Sequence, residues 1–230
     1  MDSNKYTGEL TGPRDLQTTL IGPFTMVKTT VGPMDNNCYF LVQDTNIVLI
    51  DACGDADHLL AVAERFGGQI KAVITTHQHA DHVGALEEVL AATGAVHIST
   101  AGESEALPVP ADILVADGDD LADVAAQALA GFNLDGVCLN CSVLRGHTPE
   151  GLAIALQSDG PTHLFVGDSL FPGGVGKTNS PAQFEQLLSD VTTKLFERFP
   201  DNTQVHPGHG ADTSLGSERP HLNEWRTRGW

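Results

Sequence analysis

The stretch Thr76-His77-Gln78-His79-Ala80-Asp81-His82 puts four metal-ligating side chains within six residues. Imidazole and carboxylate are ligands that zinc, iron and manganese share. In an extended turn alternate residues face the same way, so His77 and His79 share one direction while Asp81 and His82 project from the next turn. That spacing divides the four between two ions instead of crowding one. No apolar periodicity or helix cap calls for such a cluster, so a surface or core role explains these histidines poorly.

Outward from the cluster, residues 70–75 form an apolar run that reads as a buried strand, and the histidines follow its carboxyl end. Before it, residues 55–66 carry Leu59, Leu60, Val62, Ala63 and Phe66 at helical spacing, closed by Gly67-Gly68. After it, residues 81–92 read as a second helix stopped by Gly94. Runs at 24–30, 37–43 and 46–51 predict an antiparallel opening meander. A third alternation covers strand 96–99, helix 101–107 and strand 113–116. Past an acidic turn, runs at 137–144, 151–157 and 163–166 imply a second sheet. Residues 181–199 then read as one long amphipathic helix before a closing strand at 203–206.

The length of 230 residues fits a single domain over 18–230, preceded by a polar extension over 1–17 that is expected to be flexible. Apolar runs end after about six or seven residues, too short to span a membrane, and residues 1–14 lack the apolar segment of an export signal. The cytoplasm is the expected compartment. A formal charge of −18 opposes nucleic-acid binding, which depends on Lys and Arg neutralising phosphates. Between Lys71 and Arg145 there is no Lys or Arg, while Glu87, Glu88, Glu103, Asp112 and Asp119 are among the acids that accumulate there and read as solvated surface. The cysteines at 38, 53, 138 and 141 read as small buried side chains. Cys138 and Cys141 lie three apart in a strand and point to opposite faces, so they cannot readily bridge or chelate. Cys53 lies just past a strand end, close to the cluster.

Three later segments carry the same chemistry, each after a predicted strand: Arg145-Gly146-His147-Thr148-Pro149, Val166-Gly167-Asp168-Ser169-Leu170 and His206-Pro207-Gly208-His209-Gly210. Glycine beside each ligand permits tight turns and close backbone approach. In this order, over residues 18–209, the chain resembles the metallo-β-lactamase superfamily. Within it, Phe165-Val166-Gly167-Asp168-Ser169-Leu170-Phe171-Pro172-Gly173-Gly174-Val175-Gly176-Lys177 looks like the glyoxalase II branch. The resemblance implies an α/β fold, a four-layer αββα sandwich of two mixed sheets flanked by helices. It also implies that His77, His79 and His147 hold one divalent ion, that Asp81, His82 and His209 hold a second, and that Asp168 bridges them. Asp51 would orient a ligand histidine and Lys177 would bind substrate. Zinc is the expected ion, with iron and manganese suited to the same ligands.

The implied activity is hydrolysis of a small-molecule thioester of the hydroxyacylglutathione type. A hydroxide bridging the ions beside Asp81 would be the nucleophile, and thiolate would leave without obligatory protonation. The chain departs from glyoxalase II in lacking its helical C-terminal domain, and the expected aromatic positions are Asn179 and Ala211. A short tail follows His209, with Trp225 or Trp230 as its anchor. These departures, with the acidic surface, point to a neutral thiol carrier such as mycothiol. Three other readings stay open: a persulfide dioxygenase with mononuclear iron on His77, His147 and Asp168, a lactonase, and a metal-binding module without turnover. The oligomeric state is not legible.

Overall fold

The computed structural model describes residues 6–229. The first sheet holds β1 (Leu16–Ile21), β2 (Phe24–Val31), β3 (Asn36–Gln43), β4 (Asn46–Ile50), β5 (Gln69–Ile74), β6 (Val96–Thr100) and β7 (Ile113–Val115), side by side in chain order. Strands β1 to β4 pair antiparallel through tight turns, while β4 to β7 run parallel. Parallel pairing needs crossovers, which carry α1 (Ala56–Arg65), α2 (Leu86–Thr93) and α3 (Ala101–Ser104). After α4 (Leu121–Val124) come β8 (Cys138–Leu144), β9 (Gly151–Gln157), β10 (His163–Gly167), the hairpin β11 (Leu170–Phe171) and β12 (Gly174–Val175), and α5 (Pro181–Val191). The chain ends with β13 (Gln204–Pro207), β14 (Thr213–Ser214), α6 (Leu215–Glu218) and α7 (Leu222–Arg228). The second sheet is ordered β14-β13-β10-β9-β8, mixed because β10 and β13 are parallel.

Side chains alternate across each strand, so one strand feeds two cores. On β4, Val48 and Ile50 enter the layer between the sheets, where Leu152, Ile154 and Phe165 meet them. Ile47 and Leu49 of the same strand turn to α1 and α2, packing with Leu59, Val62, Leu86 and Val89. On the far side, Ala153, Ala155, Leu164 and Val166 meet Phe184, Leu187 and Val191 of α5, and Trp225 of α7. Three apolar interfaces thus separate four layers, the αββα sandwich that the resemblance implies. No helix among the described residues is long and apolar enough to cross a membrane.

Several boundaries differ from the sequence expectation. Helix α2 starts at Leu86, not 81: the Ala85 N–H, which would close a first turn onto the Asp81 carbonyl, bonds to Ala52 O instead. Helix α3 stops after four residues, ahead of Pro108 and Pro110, which bar continuation. The long helix is regular only to Val191 and continues as a wider π-turn over Thr192–Phe196, where Thr192 and Thr193 hydroxyls bond back to Leu188 and Ser189 carbonyls. Cys138 is exposed rather than buried, since it stands at the very start of β8, whereas Ser142 and Leu144 on the same face are buried; all four cysteines are free, and the other three are buried. Glu103, read as solvated, is fully buried.

The stretch 1–17 was expected to be a flexible extension, yet residues 6–17 are held in place. β1 begins at Leu16, and the Gln17 amide oxygen accepts from the N–H groups of Thr7 and Gly8. Residues 1–5, and Trp230 as a tail anchor, lie outside the described residues; Trp225 packs against Phe196. Lys28 is fully buried and donates to Gly8 O at 2.6 Å, Gly210 O at 2.8 Å and Asp212 Oδ1 at 2.7 Å. Asp212 Oδ2 also accepts from Tyr6 and from His206 Nδ1. One lysine therefore clamps the first described residues to the loop after β13. Lys28→Met leaves Asp212 buried without its cation and is expected to cost about 3–5 kcal/mol, whereas pairing it with Asp212→Asn is expected to cost less. Denaturant titration of both variants checks this.

Candidate metal centre

Strands β4, β5, β8, β10 and β13 all end at one edge of the sandwich, and the loops that follow carry Asp51 and the seven proposed ligands, while Lys177 follows β12. Asp51 follows β4, residues 77–82 follow β5, His147 follows β8, Asp168 follows β10 and His209 follows β13. Backbone bonds knit these loops together: Leu152 N to Thr76 O, Gly208 N to Gly167 O, and Asn37 N to Gly208 O, each 2.8 Å. A methyl group on Gly208 would overlap Asp168 Oδ1 and His82 Cε1, so only glycine lets the last loop approach this closely. Asp51 sits in the left-handed region at φ 58°, a conformation that costs an aspartate little and turns its carboxylate under the loop.

Three groups of potential ligand atoms form, one of them Asp51 with His77 and His82, and the other two hold the ligands that the resemblance implies. Those of His77, His79 and His147 lie within 4.8 Å of one another, as do those of Asp81, His82 and His209. Asp168 lies between them: Oδ2 is 3.6 Å from His147 Nε2 and 3.4 Å from His209 Nε2, and Oδ1 is 3.3 Å from His82 Nε2. His82 and His209 bring their Nε2 atoms within 3.1 Å of each other, and Asp81 Oδ2 is 3.3 Å from His209 Nε2. Ligands about 2.0–2.1 Å from a shared ion in tetrahedral array stand roughly 3.4 Å apart, so these spacings suit a cation at their centre. His77 Nε2, His147 Nε2 and Asp168 Oδ1 are buried without a hydrogen-bond partner. Each such orphan costs about 1–3 kcal/mol, and three that converge fit a site that an ion would complete.

The other imidazole nitrogen is fixed from outside. His147 Nδ1 donates to Lys177 O at 2.6 Å, and His209 Nδ1 to Met34 O at 2.8 Å. His82 Nδ1 donates to Asp51 Oδ2 at 2.9 Å. Asp51 Oδ2 also accepts from the Thr76 hydroxyl at 2.7 Å, leaving that oxygen to accept from His77 Nδ1 at 3.0 Å. One carboxylate thus orients His82 directly and His77 through Thr76. Each of these bonds turns Nε2 toward the centre, as the ring nitrogen left for a metal. The Lys177 side chain is exposed in the cleft beside His147, while its carbonyl holds that ring.

Burial, with the neighbouring His82, keeps the pKa of His77 well below the ordinary value, and burial lowers that of His147. Both are neutral and ready to bind metal. Burial also opposes charge on His82, yet Asp168 and Asp51 outweigh it and raise its pKa to about 10. His209 is raised too, with Asp168 overcoming burial. Asp168 is held well below the carboxylate range by His209 and His82 in spite of burial. Without metal, the Asp81–His82–His209 group therefore holds a proton that an incoming cation displaces. Cys53 lies behind His82, with Sγ 3.9 Å from Nδ1, and burial pushes its thiol well above the usual range, so it is no nucleophile.

Sequence reading missed three supports. Asn36 donates to Asp81 Oδ2 at 2.9 Å and to its carbonyl at 3.1 Å. Glu103 accepts from Gln78 N at 2.9 Å and Glu150 N at 2.8 Å, joining the loops that carry His77 and His147. Thr76 opens the cluster without being a metal ligand, and its hydroxyl links His77 to Asp51. None of the three is a ligand type in a ligand motif, so nothing local marked them.

Residues 31–219 match the metallo-beta-lactamase superfamily model. The chain belongs to that superfamily. It is 31% identical over 211 residues to the hydroxyacylglutathione hydrolase GloC of Haemophilus influenzae, covering 84% of this chain and 95% of that protein. A probable metallo-hydrolase of Streptococcus pyogenes is 30% identical over 197 residues, covering 80% and 82%. The crystal structure of TTHA1623 in a di-iron-bound form aligns with a TM-score of 0.65 at 26% identity, over 84% of this chain and 96% of that one. The chain is a metallo-hydrolase of the metallo-beta-lactamase superfamily, whose members bind metal ions, often two.

Asp51→Ala is expected to weaken metal binding about 10- to 100-fold, because His82 and His77 both lose their orientation; competition with a chromogenic chelator measures it. Adding metal to the metal-free protein is expected to release protons, with the second equivalent binding more weakly as pH falls from 8 to 6 because His82 and His209 retain theirs. Calorimetry in two buffers of different ionisation enthalpy checks this.

Proposed function

We propose that this chain is a binuclear metal-dependent hydrolase of thioesters, of the hydroxyacylglutathione hydrolase type. Its substrate would be a small molecule, met in the cytoplasm. The observation that carries the proposal is the convergence of seven ligand side chains around buried, unpartnered Nε2 and Oδ1 atoms beside an open cleft. Five neutral imidazoles and two carboxylates offer about two negative charges to two divalent cations, here expected to be zinc. Bound there, the ions would supply a water of lowered pKa and polarise the acyl oxygen.

The protein's own groups would do the rest. Asn36 holds the Asp81 carboxylate in one orientation, and Asp51, Lys177 O and Met34 O keep the rings turned inward. Asp81 is held below the usual carboxylate range, with Asn36 and His82 overcoming burial, so it stays a base able to accept a hydrogen bond from attacking water. In the net reaction the acyl–sulfur bond breaks, the water oxygen joins the acyl carbon, and a carboxylate, a thiol and a proton are released. Thiolate is a good leaving group, so no further acid is required beside the sulfur. The relatives that act on hydroxyacylglutathione support the substrate class.

The metal-replete protein is expected to hold two ions per chain and to release free thiol from acyl thioesters. His82→Ala is expected to lose one ion and at least about 100-fold in kcat. Elemental analysis alongside a thiol-capture assay reads both. One iron per chain, oxygen uptake with a persulfide and an indifferent His82→Ala variant would overturn the proposal in favour of a dioxygenase.

A further inference from the structure

Glu103 is fully buried, and among the described residues no cation pairs with it. Burying a carboxylate is costly unless its oxygens are filled, so the groups that fill them show what it holds. Oε2 accepts from Gln78 N at 2.9 Å, and Oε1 accepts from Glu150 N at 2.8 Å. Gln78 stands between His77 and His79, and Glu150 closes the loop that carries His147. The three ligands of one candidate ion, His77, His79 and His147, thus lie on two chain segments that one carboxylate joins.

The joint is reciprocal. Glu150 Oε2 accepts from Gly102 N at 2.7 Å, and Glu150 O accepts from the Thr100 hydroxyl at 2.8 Å. A methyl group on Gly102 would fall 2.7 Å from Glu150 Cγ and push that side chain aside. Helix α3 is therefore a short bracket, tied by its one buried acid to both loops and by Glu150 to the second of them.

His79 depends most on this bracket. Nδ1 of His77, His82, His147 and His209 is each bonded to a protein oxygen. The His79 ring is exposed and makes no hydrogen bond among the described residues. Its backbone must aim it, and that backbone is pinned by Gln78 N on Glu103 and by His82 N on His79 O at 2.9 Å. Asp51 orients His82 and, through Thr76, His77, and it bonds to neither His79 nor His147.

We propose that Glu103 is a positioning residue for the ion held by His77, His79 and His147, acting through the backbone N–H groups of Gln78 and Glu150. The two ions then rest on different carboxylates, Glu103 behind His79 and His147, Asp51 behind His82. The proposal rests on the two-ion reading above. Glutamine at 103 keeps one acceptor and turns an amino group toward the other N–H, so one of the two loops is released.

The test loads the whole metal-free protein with cadmium-113 and reads each ion by its own NMR resonance. Two resonances are expected, and His79→Ala and His82→Ala assign them. Glu103→Gln is expected to shift or broaden the resonance that depends on His79 and to weaken that ion about ten-fold in competition with a chelator. The resonance that depends on His82, and its affinity, are expected to stay unchanged. Glu150→Ala leaves Glu103 in place but frees Gly102 N, and is expected to act on the same ion more weakly; it carries the test if Glu103→Gln does not fold. Phe196→Leu, in the apolar layer around α5, lowers stability away from both loops and is expected to move neither resonance. Two ions that are both unchanged, or weakened equally, in the Glu103→Gln protein would overturn this inference alone. A single cadmium resonance in the unaltered protein would instead overturn the two-ion reading, and this inference with it.

Discussion

The Asp51 carboxylate is the contact on which the metal centre depends. Its Oδ1 accepts from Thr76 N at 2.7 Å, and its Oδ2 accepts from the Thr76 hydroxyl and His82 Nδ1. It therefore fixes where the chain leaves β5, how His82 faces and, through Thr76, how His77 faces. The carboxylate is buried, so its lone pairs must be filled by protein groups. Its backbone, at the end of β4, turns into the left-handed region to meet that demand. The start of α2 is shaped by the same loop, since Ala52 O takes the Ala85 N–H that would close a helical turn onto Asp81.

Around this contact the sandwich works as a rigid mount. Five strands present their carboxyl ends at one edge, and the apolar layer between the sheets holds those ends in register. The three orphaned polar atoms at the centre are a local cost borne by the rest of the fold. The buried Lys28–Asp212 pair secures the one arm, carrying His209, that arrives from the far end of the chain.

Much of the fold was legible in the sequence. The meander, the strand–helix–strand units and the second sheet follow from period-two and period-3.6 patterns, which are local properties of the chain. The seven residues that gather at the candidate site stand out for a similar reason: histidine and aspartate in a loop directly after an apolar run are a short-range signal. What escaped notice depended on partners distant in sequence. Glu103 looked like one more surface acid because its partners, the N–H groups of Gln78 and Glu150, lie 25 and 47 residues away. The segment 6–17 looked free because the groups that hold it, Lys28 and Asp212, belong to other strands and loops.

By itself the sequence determined which residue types could bind metal, their order along the chain and the strands that precede them, because these depend only on side-chain chemistry and local periodicity. Tertiary structure alone decided which nitrogen of each ring faces the centre, because Nδ1 of His82, His147 and His209 is claimed by Asp51, Lys177 O and Met34 O. It alone decided, too, that two clefts meet at His147. A cleft is a property of surfaces brought together, and Gln78, Lys177 and Arg228 become neighbours of one site only when both sheets and the last helix have packed.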